Sequence, residues 1–199
     1  MISRYKKNLK ILEKENVYSK EMEHDACGVG LVASTEGKKS RKVVEYGIEA
    51  LKAVWHRGAV DADGKTGDGA GIHLEIPKDF FSEKIELTGH TYDDSEICIG
   101  MIFLPRNNYS AQENSRTLVE KELTKSNFSI YGWRQVPVNP KVLGEKAERT
   151  RPEITQVLFK HNDKKLSNKN LEVKLYESRR KIEKEASIIN LNDFYICSF

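Results

Sequence analysis

Three cysteines, a glycine-rich loop and a His-Arg pair are the residues here whose types could do chemistry. Cys27 stands in HDACGVGLVA, residues 24–33, at the head of a run of small and apolar residues. A thiol becomes a strong nucleophile only when a base or a positive field lowers its pKa. His24 and Asp25 lie beside it, but neighbours on an extended chain point to opposite faces, so adjacency alone does not make a Cys–His pair. By residue type, both a buried structural thiol and a reactive one fit Cys27. Cys98 and Cys197 fall inside apolar, strand-like runs, where a thiol behaves as a small hydrophobe, and both are expected in the core.

The loop DADGKTGDGAG, residues 61–71, invites three readings. Gly67, Gly69 and Gly71 give G-x-G-x-G, but Ile72 stands where the dinucleotide fingerprint needs its third glycine, and Asp68 puts negative charge where a phosphate would sit. Asp61 and Asp63 open like a calcium loop, yet Lys65 replaces the third ligand and Ile72 the closing glutamate. The favoured reading is structural: glycines that permit positive φ and close backbone approach, leading into a strand at 72–76. His56 and Arg57 fit either a solvated helix end, where cations suit the C-terminal dipole, or an arginine fork beside an anionic site. Spacing does not separate the two.

Stepping outward, VGLVA at 29–33 reads as a short buried strand. Val44, Ile48, Leu51 and Trp55 share one helical face, predicting a helix over 42–55 with Gly58 just past its end. IHLEI at 72–76 and ICIGMIFL at 97–104 read as strands, the second apolar at nearly every position and so buried on both faces. Ser110 and Glu113 match the S-x-x-E capping box and open a helix over 111–126. Residues 128–138 and 154–159 supply two more strands, the first closed by Pro137 and Pro140. Leu171, Leu175, Ile182 and Ile189 keep helical spacing amid dense charge, and FYICSF at 194–199 is a last strand. The class is mixed α and β, with no linker to mark an internal boundary.

Composition narrows the function classes. Among 199 residues, 33 Lys and Arg stand against 30 Asp and Glu, a net charge of +3 that argues for a small-molecule or protein partner over nucleic acid. The three cysteines are far apart and never in a CxxC pair, so neither a disulfide framework nor a zinc ribbon is indicated and a cytoplasmic setting is expected. The first 26 residues mix both charge signs and hold no apolar stretch fit for a signal peptide. No run approaches the ~18 apolar residues of a membrane span.

Four stretches together carry a family resemblance: HDACGVGLVA, LKAVWHRGAVDADGKTGDGAGI, P-x-x-F-F at 77–81, and GWRQVPVN at 132–139. From about Asp25 to Phe199 the chain resembles the amino-terminal glutaminase domain of glutamate synthase large subunits, a class II glutamine amidotransferase domain. The resemblance implies an α+β fold, the αββα sandwich of N-terminal-nucleophile hydrolases, with only the front half of the domain present. It implies a leader or propeptide at 1–26, a partial amidotransferase domain at 27–199, and Cys27 as residue one after processing. The freed amine, with an ordinary pKa of about 7.7–8.0, would then be the base for its own thiol. Arg57 and Gly58 match the Arg-Gly pair that supports the pocket in this family.

The same resemblance implies L-glutamine as substrate, a Cys27 thioester, and ammonia destined for 2-oxoglutarate. It implies no cofactor in this chain, but FMN and an iron–sulfur cluster in the full-length enzyme. The partners it implies are the remainder of the large subunit and a small subunit, with neither nucleic acid nor membrane. Family members continue with a His-Arg-[Phe/Tyr]-Ser-Thr-Asn segment that grips substrate and an Asn-Gly pair that forms the oxyanion hole. This chain contains no Asn-Gly. Losing one oxyanion donor costs about 10²–10³ in rate, so the chain alone is expected to be inactive. The alternative expectation is a catalytically inert module with an interaction or regulatory role.

Overall fold

In the computed structural model the described residues are 7, 10, 11, 28–54, 59–92 and 97–199. The chain falls into two compact units, Met1–Gly58 with Ala70–Ile72, and Ala59–Gly69 with His73–Phe199. In the first unit, helix α1 spans Arg41–Ala53, and the Ser40 side chain caps it by accepting from the Lys42 N–H. The apolar spacing predicted this helix; its expected last residue, Trp55, lies outside the described residues. No side chain of α1 is fully buried.

In the second unit the elements run α2 (Lys78–Glu86), β1 (Cys98–Leu104), α3 (Tyr109–Lys125), β2 (Phe128–Gln135), a 3₁₀ turn (Pro140–Val142), α4 (Glu145–Thr150), β3 (Glu153–His161), α5 (Asn168–Ile188) and β4 (Tyr195–Ser198). The four strands form one sheet in the order β2-β3-β1-β4. Every neighbouring pair is antiparallel, with Met101 opposite Gln156 at the centre of the β1–β3 ladder and Gly100 opposite Val157 beside it. Leu118, Val119 and Leu123 of α3 and Leu175, Ile182 and Ala186 of α5 cover one face, packing on Cys98, Ile102, Leu104, Phe128, Val157, Phe159 and Ile196. Phe81 and Ile85 of α2 pack on the other with Ile97, Tyr131 and Leu158. Thr155–Phe159 are therefore buried without a break, as befits an inner strand covered on both sides. Helices α3 and α5 are each followed by an asparagine in the left-handed region, Asn127 (φ 66) and Asn190 (φ 57), where a short polar side chain is tolerated.

Several expectations need correction. VGLVA and IHLEI form no strand: residues 28–34 and 71–77 carry no ladder, and Val29 and Leu31 are each 91% exposed. β1 is not sealed on both faces; Cys98, Gly100, Ile102 and Leu104 are buried while Ile99, Met101 and Phe103 between them are half-buried, because α2 covers only part of the second face. The cap of α3 is Asn108, whose Oδ1 accepts from the Ala111 N–H at 3.0 Å. Ser110 already lies inside the helix, and Glu113 pairs with Arg116 instead of reaching back. Cys98 is buried, but Cys197 is exposed, since β4 sends Ile196 inward and its neighbours outward. The short helices α2 and α4 were not anticipated; the Phe81/Ile85 pair at i, i+4 behind Pro77 was the readable signal for α2.

Candidate active site

Cys27, Arg57 and Gly58, like His24, Asp25 and His56, lie outside the described residues, and the site is built here from the segments that flank them. Residues 28–34 carry no regular secondary structure and approach α1. A Cβ placed on Gly28 would stand 3.4 Å from the Val54 side chain, and one on Gly30 would stand 4.0 Å from Ala50. Ala70–Ile72 join the same unit, with the Ile72 side chain reaching within 3.2 Å of the Cβ position at Gly47. The end of α1 thus brings the residue after Cys27 beside the residue three before Arg57. Sequence spacing gave no hint of that approach across 26 positions.

The chain after Gly58 turns back on itself as a hairpin. Val60 bridges Gly67, the Asp61 N–H donates to the Thr66 carbonyl at 2.7 Å, and Gly64 takes φ +68 at the turn, a conformation that disfavours a side chain. Asp63 accepts from the Lys65 N–H (2.9 Å), the Thr66 N–H (2.7 Å) and the Thr66 hydroxyl (2.5 Å). These bonds, the Thr66 hydroxyl first, hold its carboxyl well below the usual carboxylate range. The Ala59 N–H donates to Asp68 Oδ2 at 2.9 Å. The structural reading of the glycine-rich loop therefore holds at Gly64 and Gly67, whose Cβ position is 3.0 Å from the Ala59 carbonyl oxygen; Gly69 and Gly71 have open space instead.

The hairpin is seated on the α4 segment. Gly144 lies so close that a Cβ there would run into Thr66 Oγ1 and Asp63 Oδ2. The Ala147 N–H donates to Thr66 Oγ1 at 3.4 Å, and Lys146 pairs with Asp61. Glu148 anchors α4 in turn, bonding Arg151 at 2.8 Å and Arg106 at 2.5 Å. The Arg151 bond, with Arg106 adding to it, lowers the Glu148 carboxyl below its ordinary value. Asp63 and Thr66 form a turn that sequence spacing could have suggested, but their partner Gly144 is remote in sequence and carried no signal.

Of the two described cysteines, Cys98 is buried and Cys197 is exposed, and they form no shared thiolate set for an iron–sulfur cluster. Among the described residues no set of three or more His, Cys, Asp or Glu side chains could hold a metal, and no helix is long and apolar enough to cross a membrane.

The described residues thus form a mixed helix and antiparallel-sheet structure. The class II glutamine amidotransferase family matches residues 27–199, and the chain belongs to that family. It is 52% identical over 197 residues to the large chain of a glutamate synthase [NADPH] of Azospirillum brasilense, covering 99% of this chain and 13% of that one. It is 36% identical over 193 residues to a ferredoxin-dependent glutamate synthase of Pyropia yezoensis, covering 95% and 12%. A glutamate synthase [NADH] of Saccharomyces cerevisiae is 37% identical over 196 residues, covering 94% and 9%. The chain therefore spans 9–13% of the length of these relatives.

Proposed function

We propose that this chain carries the glutaminase nucleophile of a glutamate synthase large subunit and that Cys27 is that nucleophile. The observation that carries the reading is where the family match begins: at Cys27 itself. With residues 1–26 removed, the amine of Cys27 takes the thiol proton and the sulfur attacks the carboxamide carbon of L-glutamine. The tetrahedral intermediate collapses as the C–N bond breaks, the same amine returns a proton to the departing ammonia, and a thioester remains. Water then attacks the thioester carbon and releases glutamate and the thiol. Arg57 and Gly58 support the pocket without exchanging protons. In the longer protein the ammonia meets 2-oxoglutarate, with FMN and an iron–sulfur cluster supplying the redox chemistry outside this chain. The complete domain is the αββα sandwich, to which the sheet described above contributes one layer.

The test is ammonia release from glutamine by the full protein, with mass spectrometry of its amino terminus. Cys27→Ser is expected to abolish glutamine hydrolysis, and the mature protein to start at Cys27. An active enzyme retaining residues 1–26 would show that the base is another group. A second reading, an inert interaction module, draws support from the exposed apolar side chains Val29, Leu31, Ile72 and Leu74. Glutamine turnover lost in Cys27→Ser decides against it.

A further inference from the structure

We infer that the Asp68–Gly69 step is a site of spontaneous isoaspartate formation in the folded protein, whereas the Asp63–Gly64 step of the same hairpin is protected; the inference is independent of the glutaminase reading. These are the two Asp-Gly steps in the sequence. In such a step the backbone nitrogen after the aspartate attacks Cγ of the protonated side-chain carboxyl. The nitrogen gives up its proton, one carboxyl oxygen leaves as water, and a five-membered succinimide forms. Water then reopens the ring at either carbonyl, returning aspartate or leaving the main chain routed through Cβ and Cγ as isoaspartate. One water is released and one is consumed, so no oxidant, reductant or cofactor takes part. Glycine favours the step because it puts no side chain beside the attacking nitrogen.

The hairpin treats its two steps differently. Asp63 Oδ1 accepts from the N–H groups of Lys65 (2.9 Å) and Thr66 (2.7 Å), and Oδ2 accepts from the Thr66 hydroxyl (2.5 Å). These bonds tie the carboxyl to residues 65 and 66 and hold it well below the usual carboxylate range, so the acid form that can lose water is scarce. The attacking atom is engaged as well, because the Gly64 N–H donates to the Asp61 carbonyl at 2.9 Å. At Asp68 a single bond reaches the carboxyl, from the Ala59 N–H to Oδ2 at 2.9 Å, and the Gly69 N–H has no hydrogen-bond partner among the described residues. A Cβ on Gly69 would meet nothing within 4 Å, which leaves space for the ring and for the rerouted chain. Both residues are exposed to the water that reopens it. Isoaspartate at 68 would carry its free carboxylate directly on Cα, one carbon nearer the main chain, and so withdraw the acceptor from the Ala59 N–H at the base of the hairpin.

The test is to age the full protein in mildly acidic buffer, below its unfolding temperature, and to read isoaspartate by tryptic peptide mapping with electron-transfer fragmentation. Cleavage after Lys65 puts the two steps on separate peptides. Isoaspartate is expected to accumulate several-fold faster at 68 than at 63 in the folded protein, and at similar rates at both when the protein is aged in urea. Thr66→Val, which removes the hydroxyl bond from Asp63, should raise the rate at 63 more than at 68, and Gly69→Ala should slow 68 alone. Amide hydrogen exchange at Ala59 should rise with the isoaspartate content at 68. Equal rates at the two steps in the folded protein, or a faster rate at 63, would overturn the inference. So would an excess at 68 that persists unchanged in urea, since sequence and not fold would then set the rate. Ala59 exchange that stays flat as isoaspartate accumulates would overturn the role given to the Asp68 acceptor.

Discussion

The four-stranded sheet and the runs VGLVA and IHLEI are made of the same kind of residue, yet one is core and the others are exposed coil. β1 finds β3 on one side and β4 on the other, and helices α3 and α5 close over its inner face. VGLVA and IHLEI have no strand beside them among the described residues, and Val29, Leu31, Ile72 and Leu74 remain open to solvent. The difference teaches that an apolar run states only a capacity to be buried. A strand is a relation between two segments, and its stability comes from the cross-strand pair and the covering layer.

The sharpest way to break this comparison is to truncate one residue from each region. Phe159 is fully buried between Phe128 and Phe199, with ring centroids at 5.3 and 5.5 Å, so Phe159→Ala is expected to cost about 3–5 kcal/mol in urea unfolding. Leu31→Ala should stay within about 0.5 kcal/mol of the parent. Equal losses would mean that 29–33 is buried after all.

A smaller effect is expected at Gly100, on the inner face of β1. A Cβ there would meet Val157 Cγ1 at 2.6 Å and the Phe199 ring at 2.8 Å, so Gly100→Ala should destabilise by about 1–3 kcal/mol through overpacking. Gly69→Ala, with open space around it, serves as the control and should change little by the same urea measurement.

Smaller again is the cap of α3. Asn108→Ala removes the acceptor for the Ala111 N–H and is expected to cost about 1 kcal/mol, whereas Ser110→Ala should be nearly neutral. The reverse order would restore the S-x-x-E box as the true start of the helix.

The last and smallest effect depends on pH and probes the hairpin. Asp63 titrates lower in the fold than in the unfolded chain, so its carboxylate stabilises the folded form above its ordinary value of 3.8 and loses that contribution as pH falls. The gap in urea midpoint between the parent and Asp63→Asn is expected to be constant from neutrality to about pH 5 and to narrow progressively below that, closing only as pH falls through the strongly lowered folded value. A gap that does not narrow at all between about pH 5 and pH 2 would trace the effect to shape and not to charge.

Much of the second unit was legible from sequence. β1, β2, β3 and β4, α3 and α5 all arise where periodicity placed them, because each combines a clear period with a partner. The short helices α2 and α4 were harder: nine and six residues offer too few turns for a period to stand out. Of the candidate site, Cys27 and the Arg57–Gly58 pair were readable only through family motifs. The approach of Gly28 to Val54 and the seat of Thr66 on Gly144 were not readable at all, since glycine contributes a space and no chemical signature.

By itself the sequence determined which segments could fold locally: the helix faces, the strand-like runs, and a loop whose glycines permit tight turning. Only the tertiary structure decided which strand-like runs became strands, which cysteine was buried and what Asp63 and Asp68 hold. Local propensity is set by neighbours along the chain, whereas burial and hydrogen-bond partnership are set by groups tens of residues away.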